Sequence, residues 1–451
     1  MNFVRSSAAL FALALLSTGA GACASHGGDA ESVEVSEEAL VERKHLGVSD
    51  VTILYPLPSA RAGETVDDLL AASSEGDRGE LLPPAVFDQL AALESPPMLQ
   101  FDGTTKPVGA PLLGRRAGSL ADLRVVGIRL DPCFGESANL GSANCMNTIR
   151  LTTQFATNQF GNGANPDGTV GIHLFYSLTR TEFTALAKAM LALRLKAGLA
   201  LQKGYQQTYR ASSNDWFALG VHPSMAVEGL RGPYATGLRD LILSYAGEQN
   251  LTQVAFCVQD RGSDAPGYYQ SANFDNRWVF GRFEVRAGAL YALEVPSLSY
   301  TGLQWVDSRS SVSNVPNSNP SVPSRDLVVA NPLPRTTDNF MKIFNNREAN
   351  FDSSPSRSSA VNFQNPNKHT ARTADCVSCH MADSALARVG QLGTDPASFK
   401  SPTYRLTASA TGQAPFRMLG YNSAGQAILN QRVVNETAIV LDYLNRYVIT
   451  K

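Results

Sequence analysis

From Ser119 onward the chain runs in long stretches of alternating apolar and polar positions. ADLRVVGIRLDP, NTIRLTTQF and GTVGIHLFYSL are rich in β-branched and aromatic residues and bounded by turn residues, so each predicts a strand. The period then changes. Thr179 and Glu182 stand three residues apart ahead of FTALAKAMLALRLKAGL, whose apolar residues recur at three and four, and this predicts a helix opened by a capping box. SMAVEGLRGPYATGLRDLILSYAG reads as helical segments broken at Gly232 and Pro233. QVAFCVQD and RWVFGRFEVRAGALYALEV return to strand and are expected to pair as a hairpin. Strands and helices mix without strict alternation, so residues 119–306 form an α+β domain with a mixed or antiparallel sheet.

The flanks differ. Residues 46–118 hold two short helical signals, VDDLLAAS and PAVFDQLAALES, among Pro- and Gly-punctuated loops, and read as a loosely organised segment. Residues 307–325, DSRSSVSNVPNSNPSVPSR, are dominated by Ser, Pro and Asn and are expected to form a disordered linker. Residues 326–451 follow as a small, mainly α-helical C-terminal domain. It closes with NETAIVLDYLNRYV, a helix with Asn435 as the expected N-cap and Val440, Tyr443, Leu444, Tyr447 and Val448 on one face.

Composition sets outer limits. The 451 residues are 43% hydrophobic and 17% charged, an ordinary globular balance long enough for about three domains of roughly 150 residues. The formal net charge is -2 and no stretch clusters Lys and Arg, so nucleic acid is not an expected partner. Neither a G-x-S-x-G elbow, a P-loop nor an H-E-x-x-H is present. His173, inside VGIHLFYSL, alternates with apolar residues and reads as a strand residue making a hydrogen bond. His222 and Pro223 read as a turn, and so does FGNGANPDG at 160–168.

The first residues point outward. Met1 to Arg5 are basic, Ser6 to Thr18 form an apolar run too short to span a bilayer, and Ala20, Gly21 and Ala22 are small. That is the three-part layout of a cleaved export signal over residues 1–22. Cys23 follows directly and resembles the lipidated cysteine of the bacterial lipoprotein signal, although Ala20 stands where a Leu is usual; simple secretion is the alternative. The resemblance implies a membrane anchor at Cys23, facing the periplasm or the cell surface, with residues 23–45 as a flexible acidic tether.

Outside the cytosol each of the six cysteines needs a chemical fate. Cys133 and Cys145 flank a Gly-, Ser- and Asn-rich loop and are the expected disulfide, with pairing of either to Cys257, or three buried thiols, as the alternatives. Cys257, in VAFCV, reads as a core residue. The remaining pair lies in CVSCH, residues 376–380, the Cys-x-x-Cys-His pattern of covalent c-type haem attachment. Two thiols one helical turn apart can add to the two vinyl groups, and the next residue sets an imidazole at the iron. A zinc half-site and a disulfide redox pair compete. The former would need His369 or another ligand to complete four. The latter would need a preceding strand that NPNKHTARTAD does not supply.

With that motif, a loop-rich middle and a closing amphipathic helix, residues 365–451 resemble a c-type cytochrome domain. The resemblance covers under a quarter of the chain. It implies one haem c, with Cys376 and Cys379 as attachment points and His380 as the proximal ligand. Met418, in APFRMLGY, stands where the family's sixth ligand is often found, but without a flanking Pro, and His369 is the other candidate. The implied role is one-electron transfer to an unidentified redox protein, a carrier rather than a catalyst. The alternative is a surface binding or scaffold lipoprotein whose haem domain is a minor accessory.

Overall fold

Each long alternating run becomes a strand of one antiparallel sheet. In this computed structural model the described residues are 45–94, 98–99, 105–106, 111–113, 118–133, 146–157, 165–198, 200, 203, 219–260, 276–293, 303–308, 327–329, 358–359, 361–370, 374–380, 382–383, 418–422 and 425–450. The export signal, Cys23, nearly all of the tether, Cys145 and residues 309–325 of the expected linker lie outside them.

A short helix α1 (Val48–Val51) leads into β1 (Thr52–Leu54), and α2 (Pro84–Ala91) follows. Then come β2 (Leu123–Asp131), β3 (Asn147–Thr157) and β4 (Asn165–Leu178), and the helices α3 (Arg180–Lys196), α4 (Pro223–Glu228) and α5 (Pro233–Tyr245). The chain returns through β5 (Leu251–Asp260), β6 (Asn276–Arg286), β7 (Ala289–Ala292), β8 (Leu303–Ser308) and β9 (Leu327–Val329). The nine strands lie in the order β1-β2-β3-β4-β5-β6-β8-β9, with β7 also paired to β6. Every pairing between them is antiparallel. The molecule is thus a mixture of helices with an antiparallel sheet, as the patterning implies.

The capping box forms as the sequence dictates, Thr179 accepting from the Glu182 amide while the Glu182 carboxylate accepts from the Thr179 amide. Gly232 and Pro233 start α5, Pro at its first turn. VDDLLAAS yields only a single 3-10 turn, Val66–Asp68.

One face of the sheet is apolar. Ile128, Leu130, Ile149, Leu151, Ile172, Leu174, Tyr176, Val254, Phe256, Val258 and Val279 are all buried. Phe183, Leu186 and Met190 of α3 and Leu238 and Ile242 of α5 complete this layer. Residues 46–118, read as loosely organised, supply β1 and fully buried Val51, Ile53, Leu81, Leu82 and Val86 to the same core.

The C-terminal stretch joins that core too. A hairpin of β10 (Leu419–Tyr421) and β11 (Ala427–Leu429) leads into α7 (Gln431–Leu444), while the motif forms the short α6 (Cys376–His380). Val433, Val434, Ala438 and Leu441 of α7 pack into the cluster that the sheet builds. Thr437 hydrogen-bonds Thr52 of β1 at 2.7 Å, and Asn445 grips both backbone polar groups of Leu46 at 2.9 and 3.0 Å. Residues 43–451 accordingly form one unit by their contacts. The helix starts earlier than expected: Asn430, not Asn435, is its N-cap and accepts from the Val433 amide at 3.0 Å. Asn435 lies inside the helix, where its side-chain amide donates to the Gln364 carbonyl at 2.9 Å.

Candidate haem site

Strand register places an unusual set of side chains on the second face of the sheet. Thr52, Arg129, Arg150, Phe175, Gln253 and Glu284 face one another in a single row across β1 to β6. The next row on the same face runs Gly127, Thr152, His173, Ala255 and Arg282, and the one beyond runs Gly171, Cys257 and Phe280. Alternation along each strand gives this face its Arg, Gln, Thr and His content. The sequence alone reads such positions as solvent-facing, but here the C-terminal stretch covers part of the face, burying Thr52 and Arg129, while Gln253, Arg282 and Glu284 stay partly exposed.

α7 lies over the first strands. Glu436 pairs with Arg129 at 2.6 Å and with Arg432, on its own helix, at 3.0 Å. Arg129 is 2% exposed and stands directly across from Arg150, a like-charge pair that needs a counter-ion. Burial opposes the Glu436 charge, yet Arg129, Arg432 and Arg150 outweigh it and hold the carboxyl near 2. Burial, reinforced by Arg129, lowers Arg150 to about 10, and its guanidinium lies 5.8 Å from the centre of the Phe175 ring.

The hairpin covers the middle. Gln154 clasps Tyr421 at both backbone polar groups, at 2.8 and 2.9 Å, and Gly420 takes a φ of +143 where an added Cβ would meet Gln154 Oε1 at 2.7 Å. Met418 stands at the start of this hairpin and packs partly buried against the core, its carbonyl accepting from the Asn430 amide.

α6 packs against β6 and β8. Its turn is opened by Asp375, whose Oδ2 accepts from the Ser378 amide at 3.0 Å, so Cys376 and Cys379 fall one helical turn apart. The His380 ring lies against Phe280 with centroids 4.9 Å apart. Burial pushes the Cys376 thiol up to about 12, with Asp375 adding and Arg282 opposing, and pushes Cys379 to about 11 against the pull of Arg432. Redox-active cysteine pairs carry shifts in the opposite direction. Cys376 and Cys379 are both thiols.

His369 is placed differently. Its buried ring stacks on Phe363 at 4.4 Å, and its carbonyl accepts from Arg432, which also donates to the Phe363 carbonyl. Among the described residues no three His, Cys, Asp or Glu side chains converge to hold a metal ion. Cys133 is disulfide-bonded, and its expected partner Cys145 lies outside the described residues. Cys257 is buried in β5. No helix among the described residues is long and apolar enough to cross a membrane.

Sequence reasoning missed Arg129, Arg150, Arg282 and Glu436. The available signal was the repeated placement of Arg at polar positions of strands whose other positions are wholly apolar. No protein-family model, curated protein or solved structure matches the chain.

Proposed function

We propose that this chain is an exported, lipid-anchored c-type haem protein that passes electrons singly through one haem attached at Cys376 and Cys379, with His380 as proximal ligand. The observation that carries the reading is the Cys-x-x-Cys-His turn seated on a sheet face rich in guanidinium groups. The donor set suits the group: two thiols one turn apart, an imidazole beside an aromatic ring, and Arg150 and Arg282 to hold two carboxylates. The guanidiniums of Arg129, Arg150, Arg282 and Arg432 share this region with the carboxylates of Asp131, Glu284 and Glu436, with Asp375 beside the thiols, and Arg282 donates to Gln253 Oε1 at 2.8 Å. A bound haem supplies reversible one-electron chemistry at its iron. The chain supplies attachment and orientation by Asp375 and Phe280, and guanidinium groups near the iron would raise the potential by disfavouring the more positively charged oxidised iron.

The C-terminal stretch acts in this reading as a cover for the sheet as well as a carrier of the motif, which supports electron transfer over a haem that is merely accessory. Spectroelectrochemical titration of the mature protein, made with the attachment machinery present, tests the function. A single reversible one-electron wave with one haem per chain is expected. A haem that turns over peroxide or opens to gases instead would make it an enzyme or sensor, and a chain without a redox wave would return the weight to the surface binding reading.

A further inference from the structure

We infer that the fold carries an acid-sensitive latch where α1 meets α4, with His222 as the residue that takes up the proton; the inference is independent of the haem reading. Asp50, fully buried in α1, anchors this junction. Its Oδ2 accepts from the Gly47 amide at 2.6 Å and from Arg194 of α3 at 2.8 Å, while its Oδ1 accepts from the Tyr234 hydroxyl of α5 at 3.4 Å. His222, read from the sequence as part of a turn, opens α4 and is fully buried. Its ring stacks on Tyr234 with centroids 4.0 Å apart, and its amide donates to the Leu54 carbonyl at the end of β1, at 2.9 Å. One imidazole thus sits where α1, β1, α4 and α5 meet.

Neither ring nitrogen has a hydrogen-bond partner, Nε2 standing 3.8 Å from Asp50 Oδ1. A neutral ring leaves one N–H unmet here; an imidazolium would leave two, and a buried charge besides. The groups that face the ring are Asp50 from α1, Arg194 from α3, Glu228 from α4 itself and the Tyr234 phenol from α5, and β1 brings no titratable side chain. Asp50 is already the partner of Arg194, so a protonated His222 would compete for a carboxylate in use. Burial holds the imidazole below its ordinary 6.5 against the pull of Asp50 and Glu228, and Arg194 adds to the lowering. A lowered His stabilises the closed site fully above its unfolded value and loses that contribution as pH falls below it. The open site, where water reaches the ring, therefore gains population by up to about tenfold per pH unit below about 6.5, until the ring protonates in the closed site as well. Opening is local, because α4 is only six residues long, ends at Gly229 with φ +76 and packs on α5 rather than within the sheet.

Hydrogen exchange of the mature protein, corrected for the intrinsic effect of pH and followed from about pH 7.5 to about pH 5, tests this beside His222→Gln and His222→Phe. In the wild type, protection of the Asp50 and Ala226 amides, which donate to the Gly47 and His222 carbonyls, should fall by up to about tenfold per pH unit below about 6.5, while β3 and β4 keep theirs. In both variants the same two amides should show protection that no longer depends on pH over this range. Proton NMR titration of the His222 ring in the wild type reads the claim directly should either variant fold poorly, and a midpoint below 6.5 is expected. A ring that titrates at or above 6.5 with the fold intact overturns the latch. So does the same pH dependence in wild type and folded variants, or an acid loss of protection that β3 and β4 share equally.

Discussion

Glu436→Gln probes the joint between α7 and the sheet. The carboxylate is the shared counter-ion of Arg129, at 2.6 Å, and Arg432, at 3.0 Å, and its side chain is 14% exposed. Its carboxyl sits near 2 in the fold against an ordinary 4.5, and each tenfold in proton affinity corresponds to about 1.4 kcal/mol. The ionised form therefore adds about 3 kcal/mol to stability, an order-of-magnitude figure. The sign follows from the direction. A lowered carboxylate stabilises fully above its unfolded value and loses that contribution as pH falls through the folded value, so the window is pH 4.5 down to about 2. The same loss, counted from the two buried guanidiniums it strands, is about 3–5 kcal/mol, so the two figures describe one interaction and do not add. Urea denaturation at pH 7 should show Glu436→Gln less stable by about 3 kcal/mol, and the gap should narrow steadily as both proteins are taken from pH 4.5 toward pH 2. A variant within about 0.5 kcal/mol of wild type at pH 7, or two curves that fall in parallel through acid, would refute the counter-ion role.

Three further outcomes follow from the packing. Thr179→Ala removes the side-chain cap of α3 and should lower stability by about 1 kcal/mol in denaturant, while Thr179→Ser should restore it; equal loss in both would mean that the methyl group, not the hydroxyl, matters. Gly127→Ala puts a Cβ 3.0 Å from Leu419 Cδ2 and should cost about 1–3 kcal/mol while speeding hydrogen exchange at the Tyr421 amide, and unchanged exchange there would show the hairpin to be seated elsewhere. Asp50→Asn removes a fully buried carboxylate from its 2.8 Å pair with half-buried Arg194 and loosens Tyr234 and the Gly47 amide, so a loss of about 3 kcal/mol is expected; an unshifted denaturation midpoint would contradict this.

Much of the sheet was legible because its apolar face obeys a strict period of two. Ile149, Leu151, Ile172 and Leu174 announce strands whatever covers them. The second face was not legible. Arg129, Arg150 and Gln154 look like solvated positions, and only contacts with residues more than 250 positions away, such as Glu436 and Tyr421, make them interior. The helix start was misplaced for the same reason. Arg432 reads as a polar surface residue, so the pattern reads as beginning at Asn435, yet Arg432 is 1% exposed because Glu436 and two carbonyls receive it. The motif itself needs no tertiary information, since its chemistry is contained in five consecutive residues.

The mature protein, produced with the haem-attachment machinery, should be run on a denaturing gel and stained for haem peroxidase activity beside a Cys376→Ser, Cys379→Ser double variant. A stained band that survives denaturation in the wild type and is lost in the double variant is the expected result; a wild-type chain that carries no covalent haem would contradict the cytochrome reading.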